Sequence, residues 1–338
     1  MEFLKNPNFD FLGKTKYFVG ASLLVVLAGL AYMLSTNTYL GRNPRGYGVE
    51  FSGGTQLIIK FQDAPQVDRI RAAVGHAAPG AVIQTYDKPE MKQVLIRLAG
   101  TEEDQPEAPA TTAAPAGAPG TMTGLGAAAN RVKQALAAGY SENPVLETSS
   151  EIVGPIVGAE LRRKAVQLTV LGLLFQLVYI AIRFKGAVWG AAATIAVLHD
   201  VLVTLAFLAL FRYEITLNVI AALLTLVGYS VNDTIVIFDR ARELLRHNRK
   251  DSLRKILNDS VNLTLTRTLI SNGTTFLSVL ALFLFGGEVL RGFGFTMVIG
   301  VLVGTYSTIY IASPLVAWWT GRRTSLPPGA VAARAAAI

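Results

Sequence analysis

Three charged side chains stand where charge is costly. Asp200 (with His199 beside it), Asp233 and Arg267 all fall inside long apolar runs of the 338-residue chain. A charge at mid-bilayer costs about 2.5–3.5 kcal/mol on insertion scales, so such groups are candidates for function. A carboxyl group and a guanidinium on consecutive runs can hold and release a proton. Arg267 favours the ionised form of Asp233, and desolvation opposes it. A conformation that parts them lets the carboxyl take up a proton from water entering along a hydroxyl stripe. Thr264, Arg267, Ser271, Thr274 and Ser278 form that stripe, spaced by three or four on one helical face. On the preceding run Asn218, Thr225 and Asn232 recur every seven residues, and Tyr229 lies one turn from Asp233. Counted from one side of the membrane, Asp233 lies about 8 Å deep and Arg267 about 9 Å, a matching depth on neighbouring spans where a pair would lower the cost of both charges. The expected proton path is Asp233, Arg267, Asn232, Tyr229 and Ser271.

His199–Asp200 counts to roughly 20 Å from the same side, a different level. The two are read as a second polar station or a buried interhelical link. Adjacent helix positions point about 100° apart, and no nucleophile accompanies them, so hydrolysis is not expected. An intramembrane aspartyl protease needs two aspartates at one depth, whereas these count to levels about 10 Å apart. No cofactor or metal is expected, the coupling ion being the proton. Cysteine is absent, and the three histidines, His76, His199 and His247, are scattered. The lone His76 lacks the partners a metal would require.

The elements that must position these groups are membrane spans. Half the chain is hydrophobic (51%) and only 16% is charged, against about 25% charged in an ordinary soluble domain. Six apolar runs of 18 or more residues are found at 17–34, 165–182, 186–211, 215–238, 261–285 and 293–319, each long enough to cross a bilayer. The first reads as an uncleaved anchor. Gly300 and Gly304 make a GxxxG pair in the sixth run and, with Gly228, are expected at close helix contacts. Segments 1–16, 183–185, 239–260 and 320–338 carry 15 Lys/Arg against 6 Asp/Glu. Segments 35–164, 212–214 and 286–292 carry 15 of each. One side therefore carries +9 and the other none, the spans holding the remaining −1 of the +8 total, and the positive-inside rule makes the basic side cytoplasmic for both termini. Being split among short juxtamembrane segments, it does not point to nucleic acid. The segment 239–260 reads as a cytoplasmic amphipathic loop with an interfacial helix, and 320–338 as a cytoplasmic tail.

Residues 35–164 read as an external domain with the order β-α-β-β-α-β, the ferredoxin-like pattern. The elements are predicted at 55–61, 67–77, 81–86, 93–98, 127–138 and 145–153. Between the fourth and fifth, 101–124 is rich in Pro, Ala, Gly and Thr and is read as a disordered insertion. FSGG (51–54) and GPIVG (154–158) read as turns. The expected fold is thus a polytopic α-helical membrane protein of six transmembrane helices, with spans two to four in 165–238 and spans five and six in 261–319. A ferredoxin-like α+β external domain lies between helices one and two.

At this point the chain resembles the SecD/SecF family of protein-export membrane proteins, and its SecF members in particular. GYSVNDTIVIFDRARE (228–243) looks like their fourth-span signature. VEFSGGTQL (49–57), IVGPIVGAELR (152–162), VLHDV (197–201) and VNLTLTRTLISN (261–272) follow the family order. Asn232–Asp233 and a single external region of about 130 residues favour SecF over SecD members. The long Pro/Ala insertion departs from the usual compact external domain. The family belongs to the resistance-nodulation-division transporter group. The resemblance implies a complex with SecD beside the SecYEG channel, with YajC as a further partner. That complex uses the proton gradient to draw unfolded polypeptide across the inner membrane after the ATP-driven step. It also implies that Asp233 and Arg267 match the family's proton-path residues. A stand-alone proton-coupled exporter of small molecules or lipids is the alternative, though a lone six-span set is half of what such exporters normally carry.

Overall fold

The structure, a computed structural model, describes residues 7–40, 46–79, 81–86, 89–99, 120–153, 155–184, 186–247 and 251–322. Residues 101–119 of the expected insertion and 323–338 of the expected tail lie outside these. In chain order the elements are α1 (Thr15–Ser35), α2 (Val49–Ser52), β1 (Gly54–Phe61), α3 (Val67–Gly75), β2 (Val82–Tyr86), β3 (Gln93–Ala99), α4 (Gly120–Gly139) and β4 (Val145–Val153). There follow α5 (Pro155–Arg183), α6 (Ala187–Leu210), α7 (Leu217–His247), α8 (Leu253–Phe285), α9 (Gly287–Ser307), a π-helical turn (Thr308–Ala312) and α10 (Ser313–Arg322). The chain forms two compact units, Tyr47–Val166 and the segments on either side of it.

The chain holds six helical stretches long and apolar enough to cross a membrane among its described residues: α1, 157–183 of α5, α6, α7, α8, and 289–320 running from α9 into α10. A helix satisfies its own backbone groups, which hydrocarbon cannot do for it. α6, α7 and the α9–α10 stretch form the centre, with at least half of their apolar windows buried, whereas α1, α5 and α8 bury about a tenth or less. The expected interfacial helix in 239–260 is not a separate element. α7 runs on to His247, and α8 starts at Leu253 with Ser252 accepting a capping bond from the Lys255 amide (3.4 Å). Charged side chains mark where a helix leaves apolar surroundings, not where its backbone pattern stops.

The segment before α1 is docked along α8. Asn262 Oδ1 accepts from the Phe9 amide (2.9 Å), and Asn258 Oδ1 accepts from the Phe11 amide (2.9 Å). Both asparagines donate to the Phe9 carbonyl, and Arg254 donates to that of Leu12 (2.8 Å). The π turn is lined by Tyr310, which stacks on Phe18 with centroids 4.0 Å apart. Ser313 donates to the Thr308 carbonyl, five residues back.

The smaller unit has the expected order. Its antiparallel sheet runs β2-β3-β1-β4, with Leu57 opposite Ile96 and Ser150. Leu57, Ile59, Phe61, Val94 and Ile96 point to one side, where Ile70 and Val74 of α3 and Val132 and Leu136 of α4 close the core. Three local readings change. α4 begins at Gly120, so 120–124 of the expected insertion belong to a helix. The alanine-rich stretch after Gly126 propagates a helix readily, which outweighs the glycines upstream. Residues 155–158 of GPIVG open α5 rather than making a turn, with Pro155 in the first turn where its missing N–H costs nothing. Finally, FSGG ends the short α2 on Gly53 and Gly54, at φ 75° and 134°, backbone that glycine adopts without strain.

Candidate functional site

Asp233 sits in the middle of α7, 16 residues after Leu217 and 14 before His247, and is 6% exposed. Its carboxylate accepts from Asn272 Nδ2 of α8 at 2.5 Å. Asn272 also donates to Thr305 of α9 (2.6 Å) and accepts from the Tyr229 hydroxyl (2.7 Å). A single amide thus ties α7, α8 and α9 around the carboxylate. Arg267 is close enough to attract Asp233 electrostatically, yet no ion pair joins them among the described residues. The carboxylate is thus met by an amide and not by the guanidinium. The reason is rotational: Arg267 lies on the exposed face of α8, and Asn272, five residues on, faces inward. Asn232 is also exposed and lines a cleft of about 710 Å³ together with Arg267. Ser271 is half-buried, and its carbonyl accepts from the hydroxyls of Thr274 and Thr275.

Asp200 is fully buried on α6. One oxygen accepts from Ser230 of α7 (2.5 Å) and Ser307 of α9 (2.8 Å), and the other meets His199 Nδ1 at 3.0 Å. His199 Nε2 bonds the Ser22 hydroxyl of α1. Four helices therefore converge on this station.

The expected separation of the two carboxylates in depth does not hold. Ser230, bonded to Asp200, is three residues from Asp233, about 4.5 Å along α7. Ser307 and Thr305, which belong to the two stations, are two residues apart, about 3 Å along α9. The carboxylates lie within roughly one helical turn of each other. Counting depth from the ends of apolar runs assumed upright helices with level ends, whereas spans tilt by about 20° on average. The depth argument against a protease dyad falls with it. What separates these groups from such a dyad is their bonding. Each carboxylate has its own partner set, while a dyad shares one proton between two carboxyls.

Among the packing glycines, Gly300 lies against Leu226, where an added Cβ would come within 2.6 Å, and Gly304 lies 3.3 Å from Ser230 by the same measure. Gly228 is different: no neighbour lies within 4 Å of where its Cβ would be, so it packs against nothing among the described residues. It belongs to an exposed strip of small and polar residues on α7, Asn218, Ala221, Thr225, Gly228 and Asn232. Reading the sequence missed Asn272, Thr305, Ser230, Ser307 and Ser22. Asn272 carried a signal, an amide one position beyond the hydroxyl stripe. The serines carried none.

Residues 132–322 match the family model of the protein export membrane proteins SecD/SecF, C-terminal region. The chain is 36% identical to a protein translocase subunit SecF from Koribacter versatilis, over 97% of both chains. It is 39% identical to that of Calditerrivibrio nitroreducens, over 94% of this chain and 96% of the relative. Among solved structures it resembles SecDF of Thermus thermophilus, with a TM-score of 0.74 at 33% identity, covering 94% of this chain and 39% of the longer SecDF chain. A second SecDF structure, in a super-membrane-facing form, gives 0.65 at 34% identity, covering 95% of this chain and 40% of that one. A model match over more than half the chain, near end-to-end likeness to SecF subunits and a shared helical architecture agree: the chain belongs to the SecD/SecF family of protein-export membrane proteins, among its SecF members.

Proposed function

We propose that the chain serves as an accessory subunit of the Sec protein-export translocase, coupling the proton gradient to the late stage of polypeptide translocation together with SecD. The observation that carries this reading is the state of Asp233. It is buried at mid-helix, held by a neutral amide, with Arg267 near but unbonded. A carboxyl group in that setting can be ionised when Arg267 swings toward it and neutral when Arg267 swings away. Asn272 bonds either form, because its amide can donate to a carboxylate or, turned over, accept from a carboxylic acid. Asp200 and His199 form the second station in this reading, one turn away. The chain itself performs no covalent chemistry.

SecD is the natural partner because the exposed Asn218, Ala221, Thr225 and Gly228 of α7 and the exposed Thr274 and Ser278 of α8 would be poorly served by lipid. SecYEG, YajC and the translocating polypeptide follow from the family. The inner membrane is the location. The basic excess of 1–16, 183–185, 239–260 and 320–338 supports cytoplasmic termini, with Tyr47–Val166 on the outer face.

The test is Asp233→Asn, assayed in proteoliposomes with SecD. Insertion and complex formation should persist, while proton flux and gradient-driven export fall to background. Normal export by that variant would refute the proton role.

A further inference from the structure

At one end of the helical unit, the last residue of α5, the second half of α7 and the neighbouring part of α8 enclose the cleft already noted. Its wall carries five arginines, Arg183, Arg240, Arg242, Arg246 and Arg267, against Asp239 and Glu243. Both carboxylates are engaged. Arg183 donates to Asp239 at 2.9 Å, and Arg240 to Glu243 at 2.6 Å. Arg242, Arg246 and Arg267 are left without a carboxylate partner among the described residues.

Arg242 is held in place. Its guanidinium lies 5.5 Å from the centroid of the Phe184 ring and donates to the Arg183 carbonyl at 3.3 Å. The Arg183 guanidinium lies against the same ring, at 5.6 Å. Phe184 is fully buried, meeting Phe238 edge-on and stacking on Trp189. Arg242 is thus fixed on one rigid ring beside Arg183, whose charge Asp239 answers while that of Arg242 is left for an anion. Arg246 follows Arg242 by one turn on the same face of α7.

The level of the cleft identifies the anion. α5 ends at Arg183 and α6 starts at Ala187, so the Arg183–Asp239 pair marks where these helices leave the hydrocarbon. Arg242 stands about 4.5 Å beyond Asp239 along α7 and Arg246 about 10.5 Å. The headgroup layer adds roughly 5–7 Å to each side of the hydrocarbon core, so Arg242 falls within it and the long Arg246 side chain reaches back to its outer edge. Below them the wall is mixed, with Ile235 and Val236 beside Asn232, Thr264 and Arg267. Phosphate-binding groups where the helices leave the hydrocarbon match a phospholipid headgroup. Arg242 and Arg246, without a carboxylate partner, favour one with net negative charge over a zwitterion, while Arg267 is shared with Asp233. We propose that this cleft seats the headgroup phosphate of an anionic phospholipid.

The full chain, purified in nanodiscs of phosphatidylcholine doped with phosphatidylglycerol and released for native mass spectrometry, should retain phosphatidylglycerol about tenfold in preference to phosphatidylcholine. Arg242→Gln with Arg246→Gln should bring retention to near parity. Arg246→Gln alone, on an exposed side chain whose loss cannot unfold the helix, should lower it several-fold. Arg131→Gln in the other compact unit should change nothing. Equal retention of the two lipids, or a preference that the double substitution leaves intact, overturns the proposal. So does displacement of the lipid by millimolar inorganic phosphate, which would assign the cleft to free phosphate.

Discussion

Asn272 bonds Asp233, Tyr229 and Thr305 at once, so its amide sets the geometry of the carboxylate. Asn272→Leu keeps the volume and removes all three bonds. A hydrogen bond to a charged group is worth about 1.5–3 kcal/mol, so gradient-driven export into inverted vesicles should fall roughly tenfold or more. The amount of inserted protein should stay unchanged, which separates this loss from misfolding. Asp200→Ala should behave oppositely. It leaves the donors of Ser230, Ser307 and His199 without their acceptor. An unsatisfied buried group costs about 1–3 kcal/mol, so the variant should melt well below the parent in detergent. Both aspartates were legible in the sequence because a lone acid in an apolar run is conspicuous along one dimension. Asn272 and Ser307 were not. Neutral polar residues are common helix-to-helix glue, and which of them meets a carboxylate depends on where helices cross.

The crossing of α7 and α9 rests on Gly300 and Gly304. Gly300→Val would place a Cβ about 2.6 Å from Leu226, and overpacking of this kind costs about 1–3 kcal/mol. Its melting temperature should drop. Gly228→Leu should leave the melting of the isolated chain unchanged, since nothing occupies the space beside it. It should, however, block co-purification with SecD if the exposed strip of α7 is the partner face. Intact co-purification would move the partner elsewhere. Element order was readable from periodicity alone, and the six spans and the β-α-β-β-α-β order both hold. Element ends were not. Asp239 ended the fourth apolar run, yet α7 continues for eight more residues, because Asp239 is paired with Arg183 at the surface and leaves the backbone pattern undisturbed. The same misplaced ends produced the false depth difference between the two aspartates.

For the molecule as a whole, the start of α4 sets a limit on shortening the chain. Replacing 101–119 with a short linker should preserve gradient-driven export, whereas extending the deletion to 124 removes the first turn of α4 and should lower the stability of the Tyr47–Val166 unit. Export and thermal melting measured side by side distinguish the two. Charge bookkeeping across the spans was legible from composition, because charges need no geometry to be counted. The arginine cleft was not, since it gathers residues from α5, α7 and α8 that lie up to 84 positions apart. The docking of Phe9 on Asn262 spans 253 positions. At about 5–20 residues per second of synthesis, Phe9 is made on the order of ten to fifty seconds before its partner. Ser22 likewise waits for His199, and the Phe18 carbonyl for the Tyr306 hydroxyl. The newborn chain therefore holds α1 in the bilayer through its apolar surface alone until α6 arrives, and the segment before α1 is docked only when α8 follows.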